Sequence, residues 1–122
     1  MGRHVLLIED EPHIAEAIRF ILSRDGWRVS THENGQDAVA RVHATRPDVL
    51  ILDVMLPGAS GYEVLSQLRA MPETASLPVL MLTAKGQGRD REAAERAGAD
   101  LFISKPFSNA EILASVRSLV AS

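Results

Sequence analysis

An α/β fold, with a parallel five-stranded sheet covered by helices on both faces, is predicted by three features of the chain. Its main apolar runs are continuous rather than alternating, as in strands buried on both sides. Between them lie segments whose apolar residues recur at helical spacing. Strand-like and helix-like segments alternate strictly, five of each, which calls for right-handed crossovers between parallel strands.

Val5-Leu6-Leu7-Ile8 is the first run, and Ile14, Ile18, Ile21 and Leu22 then mark one face of a helix that Gly26 ends. Trp27–Thr31 is a shorter, more polar strand suited to a sheet edge. Asn34-Gly35 turns the chain into a helix with Ala38, Val39 and Val42 inward, which stops before Pro47. Val49-Leu50-Ile51-Leu52 leads to Asp53, and 57–61 is a loop. Val64, Leu65 and Leu68 belong to a third helix that stops near Met71-Pro72, and Pro78 opens the run Val79–Leu82 that leads to Thr83. Gly86 and Gly88 precede an alanine-rich fourth helix over 90–97, closed by Gly98. Leu101-Phe102-Ile103 is the fifth strand, and Ile112, Leu113, Val116, Leu119 and Val120 face the last helix inward. Ser108 and Glu111 form its capping box.

The 122 residues suit one domain, taken as residues 1–122. No run is long enough to span a bilayer, and Met1-Gly2-Arg3-His4 enters the first strand without a signal peptide. No membrane association and a cytoplasmic location are the expectation. The net charge of −3 argues against direct nucleic-acid binding by this domain. There is no cysteine, so thiolate metal sites and disulfides are excluded. His4, His13, His32 and His43 lack metal-ligand spacing and are read as surface or satisfied histidines.

In a parallel sheet, ligands bind beyond the carboxyl ends of the strands. There stand Glu9, Asp10 and Glu11 after the first strand, Asp53 after the third, Thr83 after the fourth and Lys105 after the fifth. Carboxylates gathered so closely repel, so a proton or a cation must join them. With oxygen ligands alone the fitting cation is hard, Mg2+ first. Glu11 is read as compensating the helix N-terminus. A carboxylate nucleophile, a divalent metal, an ammonium and a hydroxyl are the parts that stabilise a phosphoryl group in transfer.

Ile8-Glu9-Asp10-Glu11, Leu52-Asp53-Val54-Met55-Leu56-Pro57-Gly58, Leu82-Thr83-Ala84 and Lys105-Pro106-Phe107 resemble the signature segments of response-regulator receiver domains of two-component signalling. The resemblance covers the whole chain and implies a flavodoxin-like sheet of order 2-1-3-4-5. It implies Asp53 as phosphoacceptor, with Thr83 and Lys105 contacting the phosphoryl group. Mg2+ would be held by Asp10, Asp53 and the backbone carbonyl of Met55, with Glu9 acting through water. Thr83 and Phe102 match the switch pair, and the Lys105–Pro106 bond matches a peptide usually cis in the family. The implied partner is a histidine kinase or a histidine phosphotransfer domain. The implied output face is helix 4–strand 5–helix 5, which would also serve a homodimer. Arg91, Asp100 and Glu111 fit the charge set of winged-helix regulators there, while Leu101 and Ser115 depart from it. The fourth helix, with mainly Ala93, Ala94 and Ala97 to bury, is expected to be the loosely docked, bistable element.

Three rival readings compete. A flavodoxin-like electron carrier needs a phosphate cradle where Glu9-Asp10-Glu11-Pro12 stands. An aspartate-nucleophile phosphatase needs an acid two residues after the nucleophile, where Met55 stands, so no dedicated turnover enzyme is expected. A pseudo-receiver that only docks partners would not need every catalytic position filled.

Overall fold

The computed structural model describes residues 3–83, 92 and 95–120. The strands are β1 (His4–Ile8), β2 (Arg28–His32), β3 (Val49–Asp53), β4 (Val79–Thr83) and β5 (Leu101–Ser104). The helices are α1 (Pro12–Arg24), α2 (Ala38–Thr45), α3 (Gly61–Arg69), α4 (helical at residues 92 and 95–97) and α5 (Asn109–Val120). Gly86, Gly88, Arg91, Ala93 and Ala94, on which part of the fourth-helix and output-face expectation falls, lie outside the described residues.

All strand pairs are parallel and the order is β2-β1-β3-β4-β5. The three central strands are buried along their whole length because their side chains alternate between two apolar layers. Leu6, Ile8, Leu50, Leu52, Val79 and Met81 meet Ala38, Val42, Val64, Leu65 and Leu68 of α2 and α3. Val5, Leu7, Val49, Ile51, Leu80 and Leu82 meet Ile18, Leu22, Ile112 and Val116 of α1 and α5. Each such leucine or isoleucine contributes about 1.5–3 kcal/mol by leaving water.

The polar strand β2 lies at the edge, as its sequence requires. It begins one residue later than its pattern suggests, because Trp27 is drawn into the core beside α1. Helix α3 ends at Arg69 with Ala70 as its C-cap, next to Met71-Pro72. The Arg69 guanidinium donates to the carbonyls of Thr74, Leu77 and Gly98 and to the Asp100 carboxylate. Asp100 in turn accepts from the Val79 N–H.

The capping box at α5 forms both ways: Ser108 Oγ accepts from the Glu111 N–H, and Glu111 accepts from the Ser108 N–H. Ser60 caps α3 through one such bond, its Oγ accepting from the Glu63 N–H. Helix α2 ends on Arg46 in the left-handed region at φ 47°, followed by Pro47. Among the described residues, no helix is long and apolar enough to cross a membrane. Of the four histidines, His13 is exposed, His32 contacts Asp37 and His43 contacts Met71. His4 departs from its expected reading: it is buried, with Nε2 on Ser30 Oγ at 2.7 Å but Nδ1 lacking a hydrogen-bond partner.

Candidate functional site

The ends of β1, β3, β4 and β5 place Glu9, Asp53, Thr83 and Lys105 along one edge of the sheet. Asp53 is the last residue of β3 and 3 % exposed, because its strand is central and both faces are covered. Glu9 follows β1, its N–H held by the carbonyl of His32 in β2, and it is equally buried. Asp10 is exposed at the rim. Carboxylate oxygens of Glu9, Asp10 and Asp53 lie within 4.8 Å of one another. Glu11 stands outside this cluster as the exposed N-cap of α1, and its N–H donates to Glu9 Oε2.

Lys105 joins the cluster more intimately than the strand order alone conveys. Its Nζ lies 3.0 Å from Asp53 Oδ2 and 3.1 Å from Glu9 Oε1. The strand below aims it, since the Lys105 N–H donates to the Thr83 carbonyl. The Lys105–Pro106 peptide is cis. Burial pulls the Lys105 ammonium down, but its bonds with Asp53 and Glu9 outweigh that and hold it above its ordinary range. Burial, then the hydrogen bond shared with Asp53, pushes Glu9 up to about 7. The Glu11 N–H and Lys105 act in the opposite direction.

Asp53 Oδ1 accepts from the Met55 N–H at 3.3 Å, which ties the loop after β3 to the carboxylate. Among the described residues, the buried Thr83 hydroxyl is held by long contacts, 3.4 Å to the Ile103 carbonyl and 3.5 Å to Ser104 Oγ. Bonds of that length are weak, so the hydroxyl is easily redirected. Phe102 is half-buried on β5 and packs against the cluster that includes Met81. Ser104 escaped the sequence reading. The signal was there: in parallel register Thr83 faces Ser104, one residue before the lysine. The Glu9–Lys105 pair was missed too, because strand order shows which residues share an edge but not which side chains meet.

The donor set suits a hard cation: three carboxylates, all oxygen, only partly neutralised, among the described residues, by one ammonium.

The profile of the response regulator receiver domain matches residues 5–117. The transcriptional regulatory protein TcrX of Mycobacterium tuberculosis is 45 % identical over 95 % of this chain and 49 % of its own length. The phosphate regulon regulator PhoB of Escherichia coli is 38 % identical over 98 % of this chain and 52 % of its own. The chain thus spans about half the length of the curated relatives it matches. A response regulator from Chloroflexus aurantiacus superposes with a TM-score of 0.96 at 34 % identity, each chain fully covered. The receiver domain of a sensor histidine kinase from Pseudomonas aeruginosa gives 0.91 at 31 %, again over both whole chains, with a magnesium ion coordinated in its active-site cleft. The chain belongs to the receiver domains of two-component response regulators.

Proposed function

We propose that Asp53 is the phosphoacceptor, and that the domain takes its phosphoryl group from a histidine kinase or a histidine phosphotransfer domain. The observation that carries this is the convergence of Asp53, Glu9 and Lys105 on contacts of about 3 Å at the carboxyl edge of the sheet. A carboxylate oxygen of Asp53 attacks the phosphorus, the donor's P–N bond breaks, and the imidazole leaves. Lys105 now holds Asp53 Oδ2 and is placed to follow the new negative charge onto the phosphoryl oxygens. The Thr83 hydroxyl, weakly engaged, donates to one of them.

Asp10, Asp53 and the Met55 carbonyl would hold Mg2+, with Glu9 acting through water. The ion would neutralise charge on the phosphoryl group in transfer. No acid stands two residues past Asp53, so we read the domain as promoting its own phosphorylation and a slow loss, not as a turnover enzyme. Phe20 on α1 and Met55 beside the site are exposed large apolar side chains and supply an apolar footing for the donor protein.

For output we propose that Thr83 moves toward the phosphoryl group, Phe102 rotates, and the α4–β5–α5 surface changes. A homodimer through that surface would draw on half-exposed Leu101 and Leu113 more than on charge. Asp100 is already engaged by Arg69 and Val79, and Glu111 by Ser108.

The test is labelling with acetyl phosphate and Mg2+. One acid-stable, base-labile acyl phosphate is expected, absent from Asp53→Asn. Stoichiometric labelling of that variant with the same chemistry would refute the assignment.

A further inference from the structure

The Asn34-Gly35 turn precedes α2 and belongs to none of the segments that carry the site chemistry. Yet Gly35 is buried against the loop after Asp53. Its N–H donates to the Pro57 carbonyl at 2.9 Å. A Cβ on Gly35 would stand 2.0 Å from the Ala59 carbonyl oxygen and 2.9 Å from its carbon. Those are backbone atoms, so the two segments would have to separate by about 1.4 Å to reach ordinary contact. The reciprocal contact is as close: a Cβ on Gly58, at φ +89°, would meet Gln36 Cβ at 2.9 Å.

Both ends of the loop are fixed. Val54 donates to the Leu82 carbonyl within the sheet, and Gly61 donates to the Val54 carbonyl. Gly61 itself lies so close that a Cβ there would be 2.3 Å from the Asp53 carbonyl oxygen. Whatever part of that displacement the loop takes up therefore falls on residues 55–59, which begin with Met55.

We propose that Gly35 is a positioning residue for the metal: its bare backbone lets the turn before α2 seat the loop that presents the Met55 carbonyl. The inference rests on the metal reading above. Mg2+ demands near-octahedral geometry and tolerates little misplacement of a ligand, and outer partners of metal ligands commonly govern affinity by about 10–100-fold. Gly35 acts on the ion only through that loop.

The experiment measures Mg2+ affinity by calorimetry, well below the melting temperature, for Gly35→Ala, Gly58→Ala, Gly26→Ala and Asp10→Asn. Gly26, at φ +92°, has nothing within 4 Å of a built Cβ, so its alanine variant is strained but clash-free and remote from the loop. Gly35→Ala should weaken Mg2+ about tenfold, with phosphorylation recovering at saturating Mg2+, and Gly58→Ala should behave alike. Gly26→Ala should lose thermal stability with unchanged affinity. In the wild-type protein, the Gly35 amide resonance should shift with that of Met55 as Mg2+ is added, a readout that needs no variant to fold. Unchanged affinity in Gly35→Ala, or a Gly35 amide indifferent to Mg2+, overturns the proposal if Asp10→Asn does weaken binding. Undiminished affinity in Asp10→Asn overturns the metal reading itself.

Discussion

Glu9 illustrates how one buried group makes the resting site sensitive to its surroundings. Its folded-state pKa, pushed up to about 7 from 4.5, means the folded protein binds more protons than the unfolded chain between those values. Stability of the metal-free protein should therefore fall as pH rises through that window. Glu9→Gln should flatten the slope, as followed by urea denaturation in chelator across the pH range. A slope that survives the substitution would place the titrating group elsewhere. Lys105→Met should be costlier than its exposure suggests, because it leaves Glu9 and Asp53 buried together with no cation. About 3 kcal/mol or more is expected in chelator, with Mg2+ recovering part of it. Most of the site's identity could be read from the chain, because each group ends a separate apolar run and parallel strands bring such ends together. The pairing of Lys105 with Glu9 could not, since it depends on side-chain reach across two intervening strands.

At the scale of elements, the ends of the helices separate what local sequence dictates from what tertiary contact adds. The α5 capping box follows from Ser108 and Glu111 alone, and Ser108→Ala should cost about 1 kcal/mol. Ser60 and Glu63 carry the same spacing, hidden within a segment read as loop through Gly61. Helix α2 ends against local preference: Arg46 adopts a left-handed conformation costing about 1–2 kcal/mol for a non-glycine residue. Arg46→Gly should raise stability by about 0.5–1 kcal/mol once glycine's greater unfolded-state freedom is deducted. An increased urea midpoint with an unchanged m-value would show it. The start of β2 shifted from its sequence pattern because tertiary contact outweighed it. Trp27 gains more from burial than from extending an edge strand. Arg69 finds carbonyl partners at the helix terminus that no periodicity reveals.

For the whole molecule, the strand order and two-layer core follow from continuous apolar runs whose alternate residues must face opposite sides. The proposed output depends on how tightly β5 is held to that core. Beryllofluoride with Mg2+ should change amide-exchange protection in residues 95–107 more than in α1 and α2, and Thr83→Ala should shrink the effect. Changes confined to α1 and α2 would locate the responsive surface there instead. The Arg69 network bears on how such a change could spread. One guanidinium grips the carbonyls ahead of β4, the end of α4 and the carboxylate that leads into β5. These segments cannot loosen one at a time without breaking hydrogen bonds that Arg69 makes to partly buried carbonyls. They should open and close as a single foldon, their protected amides sharing one opening free energy, so that the base of the output face moves as a block or not at all.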